Sequence, residues 1–257
     1  MKYYLIAGER SGDLHASNLI LALKNEDGDA HFRALGGEMM ESAGAEIYRY
    51  YNEINYMGVW EVIKRLNIIL KNLKACKSDI LAHRPDVLIL VDFGGFNMKI
   101  AKFAKENNIR TFYYISPKVW AWNTGRAYKI KQYVDRMFVI LPFEKEFFKQ
   151  FDYEVDYVGN PVNDSISQFR PDASMESYFN NLKGPIVAIL PGSRSYEVDN
   201  MFSVIGEVIQ KYLTYTFVVA AVDNLPKQQY ESFKAQYPRV EIAVSYTHLT
   251  LPTNREV

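Results

Sequence analysis

The chain has 257 residues, 48% hydrophobic and 23% charged, with 14 Gly, 10 Pro and one Cys, the composition of an ordinary soluble globular protein. Thirty Lys plus Arg balance thirty Asp plus Glu, so no whole-molecule field exists to gather nucleic acid. Cys76 alone excludes an intramolecular disulfide and a cysteine zinc site, and the N-terminus reaches Glu9 and Arg10 before a signal-peptide core forms; with no apolar run near the roughly 18 residues of a membrane span, a cytoplasmic location is expected.

Apolar strand-like runs alternate with helical stretches, which is the α/β signature. The first predicted strand, Tyr3 to Ala7, runs through Gly8-Glu9-Arg10-Ser11-Gly12-Asp13-Leu14-His15 into a helix near 12–25. Two glycines and several N–H groups there suit a phosphate or sugar, and they equally suit a plain tight turn. His15, on the first helical turn, reads as a base or as a structural hydrogen-bonding residue.

A strand at His31 to Leu35 precedes a long helix over 59–83. Within it Trp60, Ile63, Leu66, Ile69, Leu70 and Leu73 recur at helical spacing, with Val59, Val62 and Ile68 widening the apolar surface. Lys64, Arg65, Lys71, Lys74 and Lys77 stand against Glu61 alone, so the segment is either a membrane-surface helix or a core-facing helix with a solvated basic back.

The strand Val87 to Asp92 is a continuous apolar run, as expected of a parallel strand covered on both faces, and leads into a helix near 97–107. Ligands of open α/β sheets gather beyond the carboxyl ends of strands, which puts Asp92 where a carboxylate could take a proton from an attacking hydroxyl. The other reading is a helix cap or a bond to the Gly94-Gly95 turn. Strands at Arg110 to Ile115 and Arg136 to Leu141 follow, with helices near 126–133 and 143–151. The aromatic run Tyr113 to Trp122 serves either to line a cleft or to pack.

From Gly159 to Gly184 the apolar period lapses, which marks an interdomain connection. Strands at Pro185 to Leu190, Thr216 to Ala220 and Val240 to Val244 then alternate with helices over 197–213 and 226–236. After the first of them, Pro191-Gly192-Ser193-Arg194 suits a diphosphate through backbone N–H groups and a guanidinium, or is a surface turn with an N-cap Ser. The expected organisation is a domain over 1–165, a partial domain over 166–244 and a foreign tail over 245–257, whose Pro252 and lack of period fit neither.

The ordered set of Gly8-Glu9-Arg10-Ser11-Gly12-Asp13, Met57-Gly58-Val59-Trp60-Glu61-Val62, Asp92 with Phe96-Asn97, Ser116-Pro117-Lys118-Val119-Trp120-Ala121-Trp122, Leu141-Pro142-Phe143-Glu144, Val158-Gly159-Asn160-Pro161 and Leu190-Pro191-Gly192-Ser193-Arg194 resembles the lipid A disaccharide synthases. These are glycosyltransferases of family 19 and of the GT-B fold. Gly94, Asn123, Gly125 and Asn160 depart from the usual pattern.

The resemblance implies a doubly wound, mostly parallel Rossmann-like first domain and an incomplete second one. It implies inverting transfer of 2,3-diacylglucosamine from its UDP conjugate to 2,3-diacylglucosamine 1-phosphate, releasing UDP, without cofactor or metal. Asp92 would be the base. Gly192, Ser193 and Arg194 would hold the donor, and Gly8, Glu9, Ser11, Gly12, Asp13, His15 and Asn97 would form the acceptor or phosphate loop. Trp60, Val62, Ile63, Leu66, Ile69 and Leu70 would face the inner membrane, to which the enzyme would bind peripherally because both substrates carry acyl chains. A noncatalytic lipid- or nucleotide-binding fragment and a GT-B-like sugar-nucleotide epimerase are the rival expectations.

Overall fold

The computed structural model describes residues 1–53, 66–168, 173–222 and 225–244. Packing divides the chain into two compact units, Met1–Pro161 and Val162–Val257. Trp60, Val62 and Ile63 lie outside the described residues, as do the side chain of Leu66 and the segment 245–257.

In the N-terminal unit the order is β1 (Lys2–Ala7), α1 (Arg10–Glu26), β2 (His31–Gly36), α2 (Glu38–Ser42), β3 (Glu46–Tyr50), α3 (Leu66–His83), β4 (Val87–Val91), α4 (Gly94–Glu106), β5 (Thr111–Tyr114), α5 (Val119–Trp122), α6 (Arg126–Tyr133), β6 (Arg136–Val139), α7 (Phe143–Lys149) and β7 (Asp156–Tyr157). The strands form one parallel sheet ordered β3-β2-β1-β4-β5-β6-β7. That sequence reverses direction between β1 and β4, the topological switch point of a Rossmann-type sheet.

Alternate residues of the central strands enter two separate cores. Tyr4, Ile6, Leu88 and Leu90 pack with Leu73, Cys76, Ile80 and Ile100, while Tyr3, Leu5, Ala7, Ile89 and Val91 pack with Ala16, Ile20 and Met40. Burial on both faces is why these strands read as unbroken apolar runs rather than alternating ones. Arg33 clamps α3 to the sheet by forking onto Asp79 at 2.8 and 2.7 Å, and the Tyr4 hydroxyl donates to the same carboxylate at 2.8 Å.

The strand β3, the two-residue β7 and the short helices α2 and α5 are additions to the predicted elements. β3 is half-exposed along most of its length, so neither a solid nor an alternating apolar pattern marks it.

The C-terminal unit holds α8 (Pro161–Gln168), α9 (Ala173–Asn180), β8 (Ile186–Ile189), α10 (Ser195–Lys211), β9 (Thr216–Ala221), α11 (Lys227–Gln236) and β10 (Val240–Val244). Its three strands are parallel in the order β10-β9-β8. Helices α8 and α9 occupy the stretch read as an irregular connection. α8 opens with Pro161 at its first position, where the missing N–H costs nothing, and its Asn and Ser residues concealed it.

Candidate functional site

The carboxyl ends of β1 and β4 lie side by side, with Ala7 in register with Val91. Two helices start there, α1 at Arg10 and α4 at Gly94, so both loops present helix N-termini at the switch point. Gly8 packs face-on against Phe93, and a Cβ at position 8 would lie 2.1 Å from its ring. Gly12 stands against Ala7 and the Val91 carbonyl at 3.3 and 3.8 Å from where its Cβ would be. Glycine at position 8 is therefore set by the close approach of the neighbouring loop, while a Cβ at position 12 would be tight only against Ala7.

Asp92 and Phe93 are both left-handed, with φ of 44° and 52°, and Ile115 at the end of the neighbouring β5 has φ of 64°. Non-glycine residues in this region cost about 1–3 kcal/mol each and persist where the surroundings over-determine them. Here the Asp92 carbonyl accepts from Asn97 Nδ2 at 2.7 Å and from the Tyr113 hydroxyl at 2.5 Å. Asn97 also donates to the Val91 carbonyl at 3.2 Å. The half-buried Asp92 carboxyl is held above its ordinary pKa by burial, while the Phe93 N–H and the Lys118 charge act in the opposite direction. Pro117, beside Lys118, brings its Cβ to 3.3 Å from the Cβ position of Gly94.

The structure thus gathers Gly8, Gly12, Asp92 and Asn97 at one sheet edge, with Glu9 half-buried at the α1 cap position and Ser11 exposed in its first turn. Asp13 does something else. It is 1% exposed, and its carboxylate accepts the N–H groups of Gly37, Met39 and Met40 at 2.7, 3.1 and 3.2 Å. This is a helix cap supplied from another element, satisfying the start of α2. Burial raises its pKa, with those three N–H groups opposing. The His15 Nδ1 is buried without a hydrogen-bond partner among the described residues, and desolvation lowers its pKa, which favours a neutral imidazole.

Ser116 and Glu144 were not singled out as site residues, yet both are buried at the same edge of the sheet. Ser116 Oγ donates to Glu144, whose other oxygen accepts the N–H groups of Ile140 and Leu141 at 3.2 and 2.9 Å. The carboxylate ties the loop after β5 to the start of α7. A Glu two residues after Pro142 at a helix start is the signal that could have found it. On α3, Leu70 is 47% exposed and Ile69 half-buried, whereas Leu73 is in the core.

In the C-terminal unit Gly192 has φ of 110°, and a Cβ there would meet Glu197 Oε2 at 2.5 Å. The Glu197 carboxylate accepts Ser193 N–H at 3.1 Å, Arg194 N–H at 3.2 Å and Arg194 Nη1 at 3.1 Å. Burial acts to raise the Glu197 pKa, but the guanidinium and the two N–H groups hold it below the ordinary carboxylate range. The groups expected to meet a diphosphate are engaged by the chain's own carboxylate, a partner that spacing alone did not reveal. Gly192→Ala is expected to destabilise this unit by about 1–3 kcal/mol through the left-handed backbone and the contact with Glu197, read as a lower unfolding midpoint.

Among the described residues no group of three or more His, Cys, Asp or Glu is placed to hold a metal ion. Nor is any described helix long and apolar enough to cross a membrane.

Comparison with solved structures matches the UDP-GlcNAc 2-epimerase of Neisseria meningitidis, solved bound to UDP-GlcNAc, with a TM-score of 0.67 and 13% identity over 97% of this chain and 74% of that one. Staphylococcus aureus MnaA, solved with UDP, gives 0.66 and 14% over 96% and 69%. At that identity the likeness is one of fold, the two Rossmann-like α/β units of the GT-B type. Sequence comparison is more specific. The lipid-A-disaccharide synthase of Geobacter metallireducens is 39% identical over 204 residues, which are 79% of this chain and 53% of that protein. The Coxiella burnetii synthase is 32% identical over 234 residues, 89% of this chain and 62% of that one. The chain therefore spans between about half and three-fifths of the length of these curated relatives. With the family model for lipid-A-disaccharide synthetase matching residues 3–250, the chain belongs to that family.

Proposed function

We propose that the chain carries the acceptor side, and part of the donor side, of an inverting glycosyltransferase. The reaction joins UDP-2,3-diacylglucosamine to 2,3-diacylglucosamine 1-phosphate, giving the disaccharide 1-phosphate and UDP. The observation that carries this reading, beside family membership, is Asp92: a half-buried carboxylate on a clamped left-handed turn that leads from β4 into α4, next to the sheet's switch point. In the proposed step the acceptor's 6-hydroxyl attacks the anomeric carbon, the bond from that carbon to the UDP oxygen breaks, and the hydroxyl proton passes to Asp92. One displacement inverts the anomeric centre. UDP leaves as an anion, so stabilising its charge takes the place of a general acid, and Arg194 is the residue proposed for that task. No cofactor or metal takes part in this reading.

The test is a chimera carrying residues 1–244 followed by the C-terminal part of the Geobacter metallireducens synthase, given both substrates. Formation of the disaccharide phosphate by mass spectrometry supports the proposal; UDP release without a disaccharide, or no turnover, argues against it. Arg194→Ala in the same chimera is expected to weaken UDP binding about tenfold, measured by calorimetry, because a charge-assisted bond to phosphate contributes about 1.5–3 kcal/mol and its loss is partly made up by solvent. Unchanged affinity removes Arg194 from the donor site.

Acylated substrates reside in a bilayer, and the apolar positions Trp60, Val62, Ile63, Leu66, Ile69 and Leu70 are proposed to bring the enzyme to the cytoplasmic face of the inner membrane as a peripheral protein. Exposure of Leu70 on α3 supports this. Serine at positions 60, 63, 66 and 69 together is expected to abolish sedimentation with liposomes containing anionic lipid, and unchanged sedimentation overturns the assignment.

A further inference from the structure

We propose that Tyr113 is a positioning residue for Asp92, fixing the direction of its carboxylate by clamping the main-chain carbonyl of the same residue. The inference rests on the reading of Asp92 as the base, and its geometric content stands apart from that reading.

Tyr113 is fully buried on β5, in register with Leu90 of β4, so its hydroxyl reaches past the strand end to the carbonyl of Asp92. Asn97, also fully buried, reaches the same oxygen from the first turns of α4. Two side-chain donors from different elements thus converge on one carbonyl and satisfy both of its lone pairs. On the other side of the residue, the Asp92 N–H donates to the Tyr114 carbonyl at 3.4 Å. Asp92 is held at both of its flanking peptides, in a backbone conformation that a free aspartate rarely adopts.

A buried tyrosine in a parallel sheet has no need to bond a carbonyl at a strained turn. Burying it with the hydroxyl satisfied elsewhere, as Tyr153 does on the Val134 carbonyl at 3.1 Å, is the alternative the same fold already uses. The charged and polar groups that act on the Asp92 carboxylate are the Phe93 N–H and the Lys118 ammonium, while the Tyr113 hydroxyl is on the carbonyl of the same residue. Without the clamp the residue is free to leave the left-handed region, and its carboxylate turns toward water.

The test uses the 257-residue chain itself and reads carbon-13 shifts of the aspartate carboxyls against pH, with the Asp92 signal assigned by its disappearance in Asp92→Asn. Tyr113→Phe, which removes one oxygen atom, is expected to lower the Asp92 titration midpoint by about half a unit or more toward the ordinary aspartate value. Tyr153→Phe loses the same kind of bond to a buried carbonyl and is expected to leave that midpoint in place. Asn97→Leu removes the second donor and is expected to move the midpoint as Tyr113→Phe does, which reads the clamp if the tyrosine variant does not fold.

An unmoved midpoint in the variants that fold overturns the proposal, and so does an equal shift in Tyr153→Phe, which would signal general loosening. In the chimera, Tyr113→Phe is expected to lower kcat about tenfold at unchanged KM, as misplacement of a reacting group does. A shifted titration combined with an active Asp92→Asn enzyme keeps the clamp and removes the base. An unmoved titration with an inactive Asp92→Asn enzyme does the reverse.

Discussion

Asp92→Asn in the chimera is expected to lower kcat by about 10²–10⁴-fold, the usual contribution of a positioned general base, with little change in KM. The amide is isosteric, so the turn and its clamp by Tyr113 and Asn97 survive while proton acceptance does not. Because burial holds the Asp92 pKa above 3.8, the wild-type acid limb of kcat/KM should fall at a higher pH than an ordinary aspartate would give. The sign for stability is opposite. A carboxyl whose folded pKa is raised contributes stability that is fully present below its unfolded pKa and is lost as pH rises through the folded value. At neutral pH the ionised Asp92 is therefore a net cost, and Asp92→Asn should raise the unfolding midpoint slightly while it removes activity. Rate profiles and melting curves across about pH 4 to 8 check both limbs. An Asn variant retaining a tenth or more of the rate would sink the base assignment.

Asp13→Ala is expected to destabilise the N-terminal unit by about 3–5 kcal/mol, because it strips the cap from α2 and leaves the N–H groups of Gly37, Met39 and Met40 without their acceptor, each buried loss costing about 1–3 kcal/mol. The fit is tight: a Cβ at Gly37 would lie 2.4 Å from Asp13 Oδ2. Asp13→Asn keeps one accepting oxygen and should lose about half as much. Chemical denaturation followed by signals confined to the N-terminal unit separates this from events in the other unit. A stable Asp13→Ala protein with weakened binding of the sugar phosphate would return Asp13 to the ligand loop.

Both experiments turn on acidic residues in a connection from a buried strand to a helix, Asp92 directly after β4 and Asp13 in the first turn of α1. The solid apolar runs Tyr3 to Ala7 and Val87 to Val91 announced parallel strands covered on both faces, since only such strands need no polar face. Glycines at 8 and 12 and the acid at 92 could be placed at strand ends by counting. Glu197 illustrates where counting stops. Its spacing from Arg194 is that of an ordinary capping box, and the sequence does not say whether the loop's N–H groups are satisfied from within or await a ligand.

Hydrophobic pattern and turn chemistry were enough to establish an α/β protein with parallel strands, the strand ends where ligands collect, and the motifs of its family, because burial on two faces and tight turns are local demands that each segment must meet by itself. Strand order, and with it the partners of Asp13, Asp92 and Glu144, came only from the tertiary structure. Asp13 meets Gly37 across 24 positions and Tyr113 meets Asp92 across 21, and such pairings follow from which loops the sheet brings to one edge. A carboxylate facing water and one capping a distant helix make the same local pattern, and only the packed fold decides which desolvated groups it must satisfy.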